Sequence, residues 1–257
     1  MKYVLEPIKF TVISASNNNV DGVRKLYTSL QSQSYNNWEW IVHDNASEDG
    51  TVEFLSNLSD DRLQFSSFKD DGIYQAFNIC LERATGHKVI FLGVDDFLFD
   101  ERVFDNVVRS VNFRDKDFVY GALINYSEEN DRYIAVNDFS PVHFNDYPGH
   151  AFPPLPSLFV DASVFKQYRF DENNFAHSDL LFFYENLNDY DALTRLNVIV
   201  SCMGDRGVTS DKKSRSKRIR EKYKIFLEVS SNKNIQAIFG YFPIYTRLKI
   251  RLRYWLI

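Results

Sequence analysis

The chain has 257 residues, of which 44% are hydrophobic and 25% charged, and its formal net charge is −5. This length can bury a substantial core, and the two cysteines, Cys80 and Cys202, match no disulfide framework or metal-binding spacing. No apolar run is long enough to span a bilayer. The first ten residues have no apolar stretch ahead of their charges, so we expect no signal peptide and a soluble, cytoplasmic protein.

The first 68 residues alternate strand patterns with helix patterns. Apolar and β-branched runs predict strands over 10–15, 38–43 and 63–68. Apolar residues at helical spacing predict a helix over 23–30, and a shorter helix is predicted over 51–58. Strands that alternate with helices indicate right-handed crossovers and a mainly parallel sheet.

The stretch from Asp70 to Asp96 is the most informative part of the chain. It predicts a helix over 73–84, with Gly86 placed where the end of a helix favours a residue that tolerates positive φ. The apolar run over 89–92 then predicts a buried parallel strand, and Asp95 and Asp96 follow it. In an open α/β sheet, ligands bind beyond the carboxyl ends of the strands. Two carboxylates there suit Mg²⁺ or Mn²⁺, which in turn would hold a diphosphate.

The alternation breaks after Phe97. A helix is predicted over 101–111 and a strand over 118–124. The segment over 148–157 carries four prolines, which predicts an irregular loop over the open side of the sheet, where an acceptor would enter. A further helix is predicted to begin near Asp179. The chain has neither a GxGxxG segment after its first strand nor a GxxxxGK[ST] loop, the usual fingerprints of dinucleotide and P-loop sites.

Charge is distributed unevenly along the chain. Residues 212–257 hold 13 Lys and Arg against 2 acidic residues, whereas the first 211 residues hold 17 against 33. A basic tail on an acidic body suggests contact with an anionic surface, either a membrane or the acidic body itself. Basic residues over 247–253 alternate with apolar ones before a final Trp-Leu-Ile, which favours an anionic bilayer. We expect peripheral attachment to the cytoplasmic face of the inner membrane and no nucleic-acid partner, and the sequence leaves the oligomeric state open.

Several segments together resemble the family-2 glycosyltransferases with a GT-A fold, particularly those that build bacterial surface polysaccharides. These segments are, in chain order, SASNN, HDNASEDGT, DDGIYQAFN followed by ATG, FLGVDD and RFDENNFAHSDLL. The resemblance covers roughly residues 8–210. It implies a Rossmann-like GT-A domain over 1–210, with a nucleotide-binding half over 8–96 and an acceptor-side half over 97–210. A basic, helical or amphipathic extension would follow over 211–257.

The resemblance also implies roles for individual residues. Contacts with the nucleotide sugar are expected from Ser14, Ala15, Ser16, Asn17, Asp44, Asp70, Asn78 and Asp95. Asp95 and Asp96 fill the Asp-x-Asp role, one for the ribose hydroxyls and one for Mn²⁺ or Mg²⁺. Gly93 stands at the usual first carboxylate of that pattern, so which of the two binds the metal stays open. Asp179 matches the general base that takes the proton of the acceptor hydroxyl, and a base in that position inverts the anomeric configuration.

The resemblance predicts a metal-dependent transfer of a sugar from a nucleoside-diphosphate sugar, expected to be UDP-linked, to a hydroxyl of a glycan or a lipid-linked saccharide. One alternative is an inactive nucleotide-sugar-binding protein, because Gly93 and Leu155-Pro156 depart from the family pattern. The other is a sugar nucleotidyltransferase, although residues 14–19 lack the Gly and basic residues that its phosphate loop normally needs. His177, two residues before Asp179, is expected to cap a helix, with tuning of the base as the alternative role.

Overall fold

In the computed structural model, the described part of the chain forms nine strands in one mixed sheet, with helices packed on both of its faces. The structure describes residues 6–110, 113–127, 129–137, 152–187, 192–205 and 214–231. The strands are β1 (Phe10–Ser16), β2 (Trp38–Asp44), β3 (Leu63–Ser67), β4 (Lys88–Phe91), β5 (Phe97–Leu98), β6 (Phe118–Ser127), β7 (Arg132–Asn137), β8 (Leu158–Asp161) and β9 (Leu193–Met203). The helices are α1 (Val20–Gln31), α2 (Thr51–Ser56), α3 (Ile73–Leu81), α4 (Val103–Arg109), α5 (Ser178–Asn186) and α6 (Arg215–Ser231).

The sheet has a parallel half and a mixed half. Strands β3, β2, β1 and β4 are parallel neighbours, in the order that successive right-handed crossovers produce. Strand β8 lies antiparallel between β4 and β6, β9 runs parallel to β6, and β5 closes the far edge. Strand β7 forms a hairpin with β6. The mainly parallel sheet expected from the sequence is therefore confirmed for the nucleotide-binding half of the prediction.

Alternating residues of the central strands pack into two separate hydrophobic cores, one on each face of the sheet. Ile13 of β1 and Phe91 of β4 pack on one face of the sheet, against α3 and α5. Val12 and Ile90 point to the other face, against α1 and α4. The adjacent residues Val12 and Ile13 of β1 are both buried, as are Ile90 and Phe91 of β4, which is expected of strands covered on both faces.

Three local predictions need correction. Helix α3 ends at Leu81, and Gly86 does not have positive φ. Glycine is needed at position 86 because a Cβ there would lie only 2.7 Å from the amide nitrogen of Thr11. Within the proline-rich loop, Leu155–Ser157 forms a 3₁₀ turn, and Pro148 to Ala151 fall outside the described residues. Strand β9, the longest in the described sheet, was not predicted.

The first part of the basic extension folds back on the domain. Helix α6 spans Arg215–Ser231, and its Ile225 is 2% exposed within the core that holds α3 and α5. The alternating basic segment over 247–253 lies outside the described residues, so membrane contact by that segment stays a prediction. Of the helices that are described, none has the length and apolarity to cross a bilayer.

A buried carboxylate, that of Glu39 on β2, joins β1, β2 and the turn that leads into β4. It accepts hydrogen bonds from the Thr11 hydroxyl at 2.6 Å, from the amide and hydroxyl of Thr85 at 2.6 and 2.7 Å, and from the Gly86 amide at 3.0 Å. The Lys9 ammonium donates a further bond at 2.7 Å. Burial raises the pKa of Glu39, but these hydrogen bonds outweigh burial and leave the pKa below its ordinary value.

We predict that Glu39→Ala lowers the free energy of unfolding by about 3–5 kcal/mol, because it leaves several amide and hydroxyl donors without their acceptor and removes the ion pair with the half-buried Lys9. Urea denaturation at neutral pH measures the loss. Since the folded pKa is lowered, the contribution of Glu39 is present above the unfolded pKa and disappears as pH falls through the folded one. The difference between wild type and variant should therefore shrink in acid.

The control for this measurement is Glu82→Ala, which removes an exposed glutamate at the end of α3. It should leave the denaturation midpoint within error of wild type. If Glu39→Ala unfolds at the same urea concentration as Glu82→Ala, the buried carboxylate does not stabilise the junction of the three strands.

Candidate functional site

A cleft of about 740 Å³ opens at the carboxyl ends of the parallel strands. One side is lined by residues that follow β1 and β2 or precede α3, and the floor by residues after β4. The opposite side is formed by the segment before α5. The predicted site residues among its lining are Ala15, Ser16, Asn17, Asp70, Asp95, Asp96 and Asp179. The structure thus brings most of the predicted nucleotide, metal and base residues into one cavity.

The end of β1 presents a buried hydroxyl to the cleft. Ser16 is 3% exposed, and its Oγ has no hydrogen-bond partner among the described residues. A buried hydroxyl without a partner costs free energy, which a ligand atom at hydrogen-bond distance would recover. Asn17, the next residue, is exposed at the same edge. These two residues form a polar rim suited to a ligand with donors and acceptors.

Asp70 lies across the cleft from that rim, in the turn before α3. Its carboxylate accepts the Gly72 amide at 2.9 Å, and its own amide donates to the Asn45 side chain at 3.1 Å. The ring of His43 lies behind it, with Nε2 3.4 Å from the Asp70 carboxylate. Burial lowers the pKa of His43 and raises that of Asp70, so His43 is neutral at neutral pH and does not form a strong ion pair.

Three predicted nucleotide contacts do not line the cleft. The Ser14 hydroxyl accepts the indole N–H of Trp40 at 2.9 Å in the core. The fully buried Asp44 carboxylate accepts hydrogen bonds from the amide and hydroxyl of Ser47 and from a β3 hydroxyl, and so shapes the loop after β2. The Asn78 amide is bonded to the backbone of Phe170. Direct contact of these side chains with a nucleotide stays a prediction.

The two aspartates after β4 have different surroundings. Asp96 is 4% exposed, and its carboxylate accepts the amides of Gly93 at 2.8 Å and Gly204 at 3.2 Å. Asp95 is only half-buried. One of its carboxylate oxygens lies 2.7 Å from where a Cβ on Gly93 would be. Gly93 therefore leaves space for the Asp95 side chain. Asp96 stabilises the turn through its hydrogen bonds to the two backbone amides.

This pair of carboxylates fits a divalent cation that also binds substrate oxygens. Among the residues described, no group of three or more His, Cys, Asp or Glu side chains is arranged to hold a metal ion. Mg²⁺ commonly takes one or two carboxylates from a protein and completes its shell with substrate phosphates and water. The donor set at Asp95 and Asp96 has that character, and Asp95 is the more accessible of the two.

Asp179 sits at the start of α5, on the far side of the cleft. Its carboxylate accepts the hydroxyl of Tyr74 at 3.2 Å and the amide of Leu180 at 2.9 Å. Burial raises the pKa of Asp179 above its ordinary value, while these hydrogen bonds and the charge of Lys222 on α6 partly oppose the shift. A carboxylate with a raised pKa is a stronger base than an ordinary one, which suits proton abstraction.

Sequence reasoning named Glu172 as an alternative base but missed how helix α3 supports it. Glu172 lines the cleft, and α3 orients its carboxylate through Asn78 at 2.9 Å and Gln75 at 3.2 Å. The sequence held one indication of this role of α3. Tyr74 and Asn78 are four residues apart and therefore lie on the same face of the helix. The expected cap is wrong in detail: His177 occupies the N-cap position of α5, but its side chain makes no cap hydrogen bond.

Comparison with known proteins identifies the family. The sequence profile of glycosyl transferase family 2 matches residues 11–174, which is more than half of the chain. The chain belongs to glycosyl transferase family 2. An uncharacterized glycosyltransferase of Haemophilus influenzae is 27% identical over 168 residues, covering 63% of this chain and 64% of the relative. One from Rickettsia felis is 23% identical over 181 residues, covering 67% of this chain but only 29% of the relative. The chain thus spans less than two thirds of these relatives' length.

Solved structures place this family-2 protein among GT-A folds. The S. aureus protein TarS (residues 1–349), in complex with UDP-GlcNAc, superposes with a TM-score of 0.67 at 17% identity, covering 96% of this chain and 72% of that one. The mannosyltransferase PcManGT from Pyrobaculum calidifontis, in complex with GDP-Man and Mn²⁺, gives 0.55 at 16% identity, covering 97% and 70%. At these identities the likeness establishes the fold, which confirms the GT-A prediction.

We predict that Tyr74→Phe raises the pKa of Asp179 further, because it removes a hydroxyl that stabilises the carboxylate. Burial keeps the pKa of Tyr74 itself well above its ordinary value, so the hydroxyl stays protonated and donates. A ¹³C NMR titration of the side-chain carboxyl carbons measures the shift. Tyr27→Phe is the control, because the Tyr27 hydroxyl donates to Asp60. An unchanged Asp179 pKa in Tyr74→Phe would mean that the hydrogen bond does not act on the base.

Proposed function

We propose that this protein transfers a sugar from a nucleoside-diphosphate sugar to a hydroxyl of a glycan or lipid-linked saccharide, with inversion at the anomeric carbon. The observation that carries the proposal is the composition of the cleft. The Ser16 hydroxyl at the end of β1, which has no hydrogen-bond partner among the described residues, faces the same cavity as two carboxylates after β4 and the half-buried Asp179 carboxylate, whose pKa is raised by desolvation. This arrangement pairs a binding edge with a base, as a group transfer between two substrates requires.

The nucleotide would bind along the edge formed by Ser16, Asn17 and Asp70. The hydroxyl of Ser16 and the exposed side chain of Asn17 offer hydrogen bonds to base or ribose. TarS was solved with UDP-GlcNAc and PcManGT with GDP-Man, which supports a nucleoside-diphosphate sugar as the ligand class. We favour a UDP-linked donor.

Asp95 would be the principal protein ligand of a Mg²⁺ or Mn²⁺ ion, with Asp96 beside it. When bound, such an ion would offset negative charge on the departing diphosphate. The Mn²⁺ in the PcManGT complex supports a divalent cation as a partner of the donor. Because both Asp96 oxygens accept backbone amides, Asp96 contributes mainly by holding the turn that carries Asp95.

Asp179 would act on the acceptor. Its carboxylate would take the proton of the acceptor hydroxyl while that oxygen forms a bond to the anomeric carbon, and the bond from that carbon to the diphosphate would break on the opposite face. The neutral Tyr74 hydroxyl would hold the carboxylate in place through its hydrogen bond. Attack opposite the leaving group inverts the configuration.

The support for the acceptor class and the cellular role comes from a relative that matches a smaller part of the chain. A Mycobacterium tuberculosis relative named for PGL/p-HBAD biosynthesis is 32% identical over 101 residues, covering 37% of this chain and 39% of the relative. That name supports a biosynthetic role for a related glycosyltransferase, and we propose surface-polysaccharide synthesis as the setting for this protein. A peripheral position at the cytoplasmic face of the membrane, reached through the basic residues beyond α6, would bring the enzyme to a lipid-linked acceptor.

We predict that Asp95→Asn abolishes the Mn²⁺-dependent part of nucleotide binding while the fold survives. The reason is that a neutral amide is a much poorer ligand for a hard cation than a carboxylate. Thermal shifts with UDP and GDP, each with and without Mn²⁺, measure the effect, because a ligand of the native state raises its apparent stability. Asp21→Asn, an exposed change on α1, is the control. A full Mn²⁺-dependent shift in Asp95→Asn would place the metal site elsewhere.

We predict that Asp179→Asn keeps donor affinity but lowers the rate of UDP-GlcNAc or GDP-mannose turnover by about 10²–10⁴-fold, the usual contribution of a positioned base. The variant should be at least as stable as wild type, since it removes a buried charge that folding disfavours. Turnover is followed by release of the nucleoside diphosphate, with water or an added acceptor. Full activity in Asp179→Asn and loss in Glu172→Gln would move the base to Glu172. Tight binding without turnover of any donor would favour the inactive binding protein.

A further inference from the structure

Helix α6 contacts the domain through one face. Lys217, Glu221 and Ile225 recur every four residues, so they lie on the same side of the helix. Each of the three meets the domain near α5: Lys217 lines the cleft, Glu221 bonds to backbone, and Ile225 is buried in the core. This helix lies beyond residues 11–174, the part of the chain that the family profile matches. Its contacts therefore add to those that the family pattern describes.

The Glu221 carboxylate is hydrogen-bonded to the backbone just ahead of α5. One of its oxygens accepts the amide of Phe175, and the other accepts the amide of Ala176 at 2.8 Å. A carboxylate that accepts two consecutive amides makes two charge-assisted hydrogen bonds and fixes the backbone between them. Ala176 is three residues from Asp179, so the bonded segment leads directly into the turn that carries the base.

The contact with Glu221 lies just ahead of the N-terminus of α5. The first amides of a helix have no partner within it, and a capping side chain usually accepts one of them. The residue at the N-cap of α5, His177, makes no cap hydrogen bond with its side chain. Glu221 accepts the amides of the two residues that precede His177 and so fixes the backbone that leads into the helix, and its negative charge lies near the helix N-terminus, where the helix dipole favours it.

Two neighbours of Glu221 reinforce the contact. The ammonium of Lys217 lies 4.1 Å from the centre of the Phe175 ring, so α6 contacts both the ring and the amide of the same residue. Ile225 shares a core cluster with Leu180 and Phe183 of α5. The two helices are therefore joined over successive turns, from the rim of the cleft into the core.

We propose that Glu221 is a positioning residue for Asp179, so that helix α6 is part of the transfer apparatus. This inference rests on the proposed function, because it assigns Asp179 as the base. By fixing the backbone over 175–176, Glu221 sets where α5 begins and hence where the Asp179 carboxylate lies relative to an acceptor oxygen. The hydrogen bonds of Glu221 among the described residues join it to the segment before α5 and not to Ser16, Asn17 or Asp70, so we expect donor affinity not to depend on it.

The test compares Glu221→Ala and Glu221→Gln in the intact chain. UDP affinity is measured by calorimetry, and kcat and KM are measured for UDP-GlcNAc hydrolysis, or for GDP-mannose if that donor is turned over. We expect Glu221→Ala to lower kcat about 10- to 100-fold with KM and nucleotide affinity unchanged, because small misplacements of a catalytic group cost rate of this order. Glu221→Gln should recover part of kcat, since its amide oxygen still accepts one backbone hydrogen bond. Lys224→Ala, an exposed change on the same helix, should match wild type.

Asp179→Asn in the same assay separates two kinds of failure. If Asp179→Asn is inactive while Glu221→Ala keeps the wild-type kcat, the positioning role is wrong and the proposed function stands. If Asp179→Asn is fully active, the base assignment fails, and the positioning role fails with it. A parallel loss of UDP affinity, thermal stability and kcat in Glu221→Ala would assign Glu221 to general stability and would also overturn the proposal.

Discussion

The buried carboxylate of Glu39 is the interaction on which the geometry of the cleft depends. It joins β2 to Thr11 on β1 and to the turn over 85–86 that leads into β4, at the amino ends of these strands. Fixing three parallel strands at one end also fixes which residues reach the other end. Ser16 pairs in register with Asp44, and Ile13 with Phe91, so the residues after β1 and β4 emerge at one edge of the sheet. A network of structural residues at one edge thereby aligns the binding residues at the other.

The part of the site that follows the strands could be predicted from the sequence, because each strand is a local pattern. An apolar run that stops at polar residues identifies a strand end, and the alternation with helices implies parallel pairing. Asp95 was predicted in this way, Ser16 and Asn17 were implied by the family resemblance, and all three line the cleft. Burial of individual side chains is not a local property. Asp44 follows the same pattern, yet its carboxylate is fully buried and bonded within its own loop.

The acceptor side depends on contacts between residues far apart in the chain, which explains why sequence reasoning reached only part of it. Asn78 on α3 exchanges hydrogen bonds with the backbone of Phe170 and orients Glu172. Tyr74, one turn earlier, reaches Asp179 more than a hundred residues later. Helix α3 thus supports the opposite wall of the cleft, although its pattern in the sequence indicated only an apolar stripe and a nucleotide contact. The basic composition of 212–257 likewise concealed the acidic residue on α6 that bonds to the domain.

Electrostatics would couple donor binding to cation binding in the proposed function. The cleft is lined by several acidic side chains, among them Asp70, Asp95 and Glu172, and a nucleoside diphosphate is itself anionic. Like charges in a partly desolvated cavity repel strongly, so the proposed diphosphate donor would bind more tightly with a cation shared with the carboxylates. Donor and divalent ion would then bind together, each raising the affinity for the other. Burial raises the pKa of Asp179, so the partly desolvated cavity that would make the proposed donor depend on a cation would also favour the proposed base.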